Sequence, residues 1–162
     1  MAKITKRKIT KRKTKSSNEV SWAAIRGIDT KGLPFIGSGV TGRVYRLSKD
    51  YIVKVYCNAR GWYNRENSDL IALTQELDAG LSSQWVLPVE EVVIAKVRNT
   101  LYYGAIKKFV KWHCSWTEIR RFGDKLPHKL QWDLHGGNVR KDNEGRLWLI
   151  DSHDDSPHCL GE

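Results

Sequence analysis

Residues 33–56, with the sequence LPFIGSGVTGRVYRLSKDYIVKVY, decide the fold. A first strand is predicted over residues 33–38, and it leads into the glycine-rich segment 37–42. The residues after this segment alternate like a second strand, and the β-branched and aromatic residues of 51–56 favour a third. Strand, glycine turn, strand, short connection and strand is the order of an antiparallel sheet.

The glycine-rich segment carries the pattern Gly-x-Gly-x-x-Gly. A Rossmann or Walker loop opens a helix, whereas strand-like residues follow here, and the Gly-Lys-Ser/Thr ending of a Walker loop is absent. Two interpretations remain: a bare hairpin turn, or a hairpin that folds over the phosphates of a nucleotide because glycines let backbone approach closely. On the second interpretation the nucleotide-binding candidates are Gly37, Ser38, Gly39, Gly42 and Val44.

Lys54 lies 12 residues after Gly42 in an otherwise apolar strand. It is either an edge-strand charge with a snorkelling stem or a cation that holds the α- and β-phosphates of ATP. The second role requires a carboxylate that keeps the ammonium in place. The sequence should therefore supply an acidic partner for Lys54.

The best helix candidate is the segment of residues 63–79. Leucines mark one face of it: Leu70, Leu73 and Leu77. Glu66 continues that stripe, because residues 66, 70, 73 and 77 follow the i, i+4, i+7, i+11 pattern, whereas Glu76 lies off it. Glu66 is therefore predicted as the catalytic partner of Lys54. The alternative is an ordinary solvated glutamate in the first helical turn.

Two further strands are predicted over residues 86–97 and 101–109, with a turn between them. They bring the antiparallel sheet to five strands, and residues 107–110 are candidates for contact with an adenine ring. A short helix is predicted over residues 115–122, with core packing as its role.

The most informative stretch is LQWDLHGGNV at residues 130–139, followed by LWLID at 147–151. Asp133 and Asn138 are five apart in a glycine-containing loop, and Asp151 ends an apolar strand 13 residues later. The intervening DNEG turn predicts a hairpin that brings Asn138 and Asp151 together.

Three oxygen-bearing side chains then converge in the set that phosphoryl transfer needs. One carboxylate orients the attacking hydroxyl and accepts its proton, and a second carboxylate with an amide supplies hard oxygen ligands for Mg²⁺ on the phosphates. In that scheme Asp133 is catalytic, while Asn138 and Asp151 hold the metal. Each residue alone is an ordinary turn former. Their joint order with the glycine hairpin and Lys54 favours the catalytic interpretation.

The chain resembles the protein-kinase-like superfamily and is most similar to the early serine/threonine protein kinases of short-tailed bacteriophages. The matching pieces stand in the family order: Gly37-x-Gly39-x-x-Gly42-x-Val44, Lys54, Asp133-x-x-x-x-Asn138 and Asp151. The resemblance implies an α+β fold. A five-stranded antiparallel N-lobe sheet with one helix would span about 33–110, and a strongly reduced C-lobe about 111–162. It also implies ATP and Mg²⁺ as cofactors, and γ-phosphate transfer to serine or threonine of a protein, such as a host protein or the chain itself.

The sequence departs from the family pattern around both aspartates. Gln131-Trp132 replaces the His-Arg before Asp133, and Ser152-His153 replaces the Phe-Gly after Asp151. Only 11 residues follow Asp151, which leaves no room for an activation segment or a peptide-substrate platform. Two alternatives stay open. One is a pseudokinase-like interaction protein that binds a host factor, and the other is a small-molecule kinase, which His135 in the loop suggests.

Charge is distributed unevenly along the 162 residues. The chain has 28 basic and 18 acidic residues, and eight of the basic ones lie in residues 1–18, which hold no acid. This tail repeats Ile-Thr-Lys-Arg-Lys, and it is predicted to be disordered because its like charges repel. It is either a solubilising arm or a segment that binds nucleic acid or an acidic partner.

The other residues, 19–162, hold 20 basic and 18 acidic side chains and are predicted to form one compact domain. Composition excludes collagen-like, disulfide-framework and fully disordered classes. No apolar run is long enough for a membrane span, and no apolar segment follows the charged N-terminus as it would in a signal peptide. We therefore expect a soluble, cytoplasmic protein, in the host cell if the protein is viral, with no membrane partner.

Overall fold

The structure is a computed structural model that describes four segments: 25–39, 41–57, 68–131 and 134–151. The predicted basic tail 1–18, Glu66 and Asp133 lie outside these segments. The strands are β1 Arg26–Asp29, β2 Phe35–Ser38, β3 Arg43–Arg46, β4 Tyr51–Val55, β5 Glu91–Val97, β6 Thr100–Lys108, β7 Trp112–His113, β8 Val139–Lys141 and β9 Leu147–Leu149. The helices are α1 Ser68–Ser82, α2 Trp116–Gly123 and α3 His128–Gln131. Among the described residues, no helix combines the length and the apolar character needed to cross a membrane.

Strands β1 to β6 form one sheet in the order β1-β5-β6-β4-β3-β2. Neighbours are antiparallel except β1 and β5, which run parallel. The α+β class is thereby confirmed, but the prediction of five strands is wrong by one. The missed strand is β1, which shows no alternation because Ile28 is its one large apolar residue. Parallel pairing with β5 places it at the sheet edge, where Arg26 donates to both carboxylate oxygens of Glu91, at 2.9 and 3.1 Å.

The larger sheet buries side chains on both faces. Aliphatic residues from four strands, with Tyr45 from a fifth, fill one face: Ile28, Tyr45, Val53, Val55, Val93, Ala95, Val97 and Ile106. Helix α1 covers the other face, where Leu73 packs with Tyr56 and Ala105. Because side chains alternate along a strand, Lys54 points to the helix side while Val53 and Val55 point away from it.

Two element boundaries differ from the sequence prediction. Helix α1 continues to Ser82 rather than ending at residue 79, and its predicted start falls within 58–67, outside the described residues. The strand predicted from residue 86 begins at Glu91, because Val86 forms an isolated parallel bridge with Leu149 instead. The segment after α1 therefore serves as a contact between the larger sheet and the C-terminal part of the chain.

Strands β7, β8 and β9 form a second, antiparallel sheet. Its β8–β9 hairpin confirms the predicted DNEG turn, in which Gly145 has a φ of 84° and the Asp142 carboxylate accepts two backbone N–H groups at 2.9 Å. Strand β9 is also fixed to the larger unit, since the Leu149 N–H donates to the Trp85 carbonyl at 2.9 Å. Asp151 lies two residues beyond this anchor.

The predicted glycine hairpin is formed by β2 and β3, which pair directly across residues 35–45. The Gly39 N–H donates to the Gly42 carbonyl at 2.9 Å and closes the turn. A Cβ atom added to Gly42 would lie 1.9 Å from the carbonyl oxygen of Val55. Gly42 is therefore required by the close approach of backbone from β4.

We expect Gly42→Ala to lower the free energy of unfolding by about 2 kcal/mol, because the added methyl group forces neighbouring backbone apart. Gly39→Ala is the matched control, since nothing lies within 4 Å of its Cβ position. Urea unfolding of both variants measures the difference. Equal unfolding midpoints would contradict the packing at Gly42.

Helix α2 confirms the predicted short helix and is capped by its own side chains. The Ser115 hydroxyl accepts the Glu118 N–H at 3.2 Å, and the Glu118 carboxylate accepts the Ser115 N–H at 2.8 Å, which is a capping box. Lys141 on β8 donates to the same carboxylate at 2.6 Å. The hydrogen bonds from Lys141 and then Ser115 lower the pKa of Glu118 to about 2.

This cap makes stability depend on acidic pH. A carboxyl whose pKa is lowered by folding stabilises fully above its unfolded pKa, near 4.5 for Glu118, and loses that effect as the pH falls toward 2. We expect wild-type protein to unfold at higher urea than Glu118→Gln at neutral pH, and the gap between the two midpoints to narrow steadily below pH 4.5. A gap that is constant down to about pH 2 would show that the charge of Glu118 contributes nothing.

Candidate active site

The site is built around the buried side chain of Lys54, at the centre of the larger sheet. In β4, Lys54 is paired on one side with Val44 of β3 and on the other with Ala105 of β6. Both neighbours are small or aliphatic and cannot pair with the ammonium. Its partners come instead from α1, which covers this face of the sheet, and from the residues after β9.

Glu76 on α1 is the first partner of Lys54. One carboxylate oxygen accepts from the Lys54 ammonium and the other from the Tyr56 hydroxyl. The side chain of Glu76 is only 1% exposed. A carboxylate so far from water is costly unless charged and polar donors surround it, and here they do.

The sequence prediction places Glu76 off the buried stripe and selects Glu66 as the partner of Lys54, whereas the structure pairs Lys54 with Glu76. Of the leucines that define the predicted stripe, Leu70 is 40% exposed, but Leu73 is buried and Leu77 packs beside it. Glu76 shares the buried face with Leu73, and a search for apolar residues alone does not find a buried charge. Glu66 itself lies outside the described residues.

Asp151 is the second partner of Lys54, although 97 residues separate them in the chain. Its Oδ1 accepts from the Lys54 Nζ at 2.6 Å. The Asp151 side chain is 29% exposed, in contrast to the nearly inaccessible Lys54 and Glu76. The structure thus brings together the predicted lysine and the predicted metal aspartate, with the aspartate on the side that solvent reaches.

Lys107 on β6 is a member of the site that sequence reasoning missed. It is 1% exposed, its Nζ donates to the Ile150 carbonyl at 2.6 Å, and it lies 3.8 Å from Glu76 Oε2. Strand parity could have found it, since Lys107 follows the buried Ala105 by two residues and so shares its face. Lys54, Tyr56, Glu76, Lys107 and Asp151 are called the Glu76 cluster below.

Burial and charge shift the pKa values within the Glu76 cluster in different directions. Burial alone would lower the pKa of Lys54, but the carboxylates of Glu76 and Asp151 outweigh it and raise that pKa above its ordinary value. Burial raises the pKa of Glu76, against the opposing effect of Lys107 and Lys54. Burial also lowers the pKa of Lys107 and, together with Glu76, raises that of Tyr56 well above the usual value. Lys54 therefore remains an ammonium, and Tyr56 remains a hydroxyl donor.

Asn138, the other predicted metal ligand, is placed next to Asp151 by the backbone. The Ile150 N–H donates to the Asn138 carbonyl at 3.0 Å, and the Asn138 N–H donates to the His135 carbonyl at 2.9 Å. Asn138 is 3% exposed. The predicted β8–β9 hairpin is therefore what brings residue 138 beside residue 150.

The donor set fits magnesium in kind. Mg²⁺ is commonly held by one or two protein oxygens, with waters and substrate phosphates completing its shell. The carboxylate of Asp151 and the amide of Asn138 supply such oxygens. Within the four described segments, no three His, Cys, Asp or Glu side chains gather as a self-sufficient metal site.

The glycine hairpin borders the strand that carries Lys54. Val44 is the register partner of Lys54, and Gly37 is in turn the partner of Val44. Cβ positions built on Gly37 and Gly39 meet nothing within 4 Å, which leaves room at the hairpin for a ligand to approach. Ser38 ends β2 beside them and pairs with Arg43. Asp133, the predicted catalytic residue, lies outside the described residues.

The chain was compared with protein-family models and with curated proteins. No protein-family model matches this chain, and no curated protein matches it. The resemblance to kinases therefore rests on the sequence motifs alone.

The structure makes Glu76 the residue on which the cluster depends for stability. We expect Glu76→Ala to lower the free energy of unfolding by about 3 kcal/mol or more, because it leaves buried ammonium groups without their carboxylate. Asp78→Ala, an exposed acid on the same helix, is the matched control and should change the free energy of unfolding by less than about 1 kcal/mol. Urea unfolding of both variants decides this, and a loss at Glu76 no larger than at Asp78 would contradict the arrangement.

Proposed function

We propose that the protein is an ATP- and Mg²⁺-dependent phosphotransferase of protein-kinase-like architecture. The observation that carries the proposal is the placement of Lys54 between Glu76 and Asp151. A strand lysine, a helix glutamate and an aspartate after a late hairpin come from distant parts of the chain and meet at one ammonium. Packing alone has no need for that combination, because burying charges costs free energy that apolar side chains would not.

Each residue of the site has a role that its position supports. The ammonium of Lys54 binds the α- and β-phosphates, and Glu76 keeps it oriented while both are shielded from water. Asp151 and Asn138 hold magnesium, which when bound neutralises negative charge on the phosphates. Asp133 orients the attacking hydroxyl and accepts its proton, a role that rests on its place in the Asp133–Asn138 loop.

The glycine hairpin supports the nucleotide part of the proposal. Val44 on β3 pairs with Lys54, Gly37 on β2 pairs with Val44, and Gly39 follows β2. The absence of side chains at the glycines lets backbone N–H groups approach phosphates. The six-stranded sheet with α1 then acts as the nucleotide-binding lobe. The smaller unit from β7 to β9 supplies Asn138 and Asp151.

The acceptor we propose is a serine or threonine of a protein. This choice rests on the resemblance of the Asp133–Asn138 loop to those of phage serine/threonine kinases, and a host protein or the basic tail of this chain would serve as substrate. The tail offers both serines and threonines as acceptors: Ser16, Ser17, Thr5, Thr10 and Thr14.

Transfer of labelled γ-phosphate tests the proposal directly. Wild-type protein with Mg²⁺ should label itself or a generic protein acceptor, and Asp151→Asn should reduce the rate by about 100-fold, because one charged ligand to the metal is lost. Glu144→Gln removes an exposed acid from the nearby turn and should leave the rate unchanged.

Two outcomes would overturn parts of the proposal. Absence of labelling in wild-type protein that still binds Mg·ATP would favour an interaction protein of pseudokinase type. Consumption of ATP with small-molecule acceptors but never with proteins would leave the chemistry intact and change the substrate class.

A further inference from the structure

The second buried lysine, Lys107, is not needed by the roles described above, and its burial requires an explanation. A lone ammonium in a protein interior is strongly disfavoured, and lysine is almost never fully buried unless it is paired. Lys107 is 1% exposed, and its neighbour Lys108 on the same strand is exposed. The chain therefore places one of two adjacent lysines inside, on the face of the sheet that carries Lys54.

The contacts of Lys107 join the two parts of the site. Its Nζ donates to the backbone carbonyl of Ile150 at 2.6 Å, and the same Nζ lies 3.8 Å from Glu76 Oε2. One contact reaches the residue that directly precedes Asp151, and the other reaches the carboxylate that orients Lys54. No apolar residue at position 107 could make either contact.

We propose that Lys107 is a positioning residue, which fixes the peptide before Asp151 to the central sheet and thereby sets where the Asp151 carboxylate stands. Both backbone groups of Ile150 are held: its N–H donates to the Asn138 carbonyl, and its carbonyl, in the peptide that leads into Asp151, accepts from Lys107. Ile150 therefore links the two proposed oxygen ligands, and Lys107 fixes the side of it that carries Asp151. Groups that orient a metal ligand commonly change metal affinity by about tenfold or more when removed.

Lys107 also provides Glu76 with a positive charge that does not depend on Lys54. With Tyr56 on one side and Lys107 nearby, Glu76 Oε2 keeps its compensation when the Lys54 ammonium turns toward a phosphate. Lys54 can therefore bind a ligand while the buried carboxylate of Glu76 keeps other polar partners. This second consequence rests on the proposed function, whereas the fixing of the Ile150 peptide does not.

Amide hydrogen exchange tests the positioning role without any activity. Lys107→Met should speed exchange of the Ile150 N–H by about tenfold or more, relative to the Val93 N–H at the centre of β5, which reports the stability of the whole sheet. Lys108→Met, the exposed neighbour, should change neither rate. Lys107→Arg keeps a donor for the Ile150 carbonyl and should hold the Ile150 rate within about threefold of wild type.

The results separate positioning from general stability. If exchange at Ile150 and Val93 rises together in Lys107→Met, or if neither changes, the positioning role is overturned. If Lys107→Met does not fold, Lys107→Arg decides, and exchange at Ile150 that rises by more than about threefold in that variant, with or without a rise at Val93, also overturns it.

The metal consequence is measured on the same variants. Half-saturation of phosphate transfer by Mg²⁺ should rise about tenfold in Lys107→Met, with little change in KM for ATP at saturating metal. If Lys107→Met speeds exchange at Ile150 but leaves the Mg²⁺ dependence unchanged, Lys107 anchors the peptide but does not affect metal binding, and the metal consequence is refuted. A wild-type protein that binds no Mg·ATP refutes the proposed function, and hydrogen exchange still decides the role of Lys107.

Discussion

A buried carboxylate that must be compensated is the constraint on which this structure depends. Glu76 lies between the central sheet and α1, where an uncompensated negative charge would cost several kcal/mol. Its cationic partners come from β4 and β6, and one of them, Lys54, also bonds to Asp151. Strand β4, helix α1, strand β6 and the residue pair after β9 are far apart in sequence, and the compensation of Glu76 requires all four to lie close together.

The same constraint links the two sheets. The larger one supplies the cations and the smaller one supplies Asp151 at the end of a short hairpin, and backbone pairing of Leu149 with Trp85 holds that hairpin in place. Within the cluster, exposure increases from Glu76 to Asp151, so the least accessible charges orient the most accessible one. Such a difference in exposure suits a site for a charged ligand, because the buried residues fix the geometry and the exposed carboxylate oxygen can contact the ligand.

Local sequence patterns predicted the parts of the structure that depend on local physics. The glycine hairpin and the DNEG turn follow from turn chemistry, and helix α2 follows from the helical spacing of its apolar residues; all three stand where expected. Strand β1 was missed because a short edge strand is defined by its partner rather than by its own alternation. Glu76 and Lys107 were missed because a buried charge looks like a surface residue until the elements around it are placed. The basic tail, Glu66 and Asp133 stay predictions.

We propose that Lys54, Asn138 and Asp151 surround one magnesium–nucleotide site. Paramagnetic broadening by Mn²⁺ with ADP, read on the amide NMR signals of the full chain, locates such a site without requiring turnover. We expect the signals of Asn138 and Asp151 to broaden first, only when nucleotide is present, and to recover with excess Mg²⁺, while those of β1 stay sharp. Broadening that is absent at Asn138 and Asp151, or that is strongest at another part of the surface, would contradict the claim.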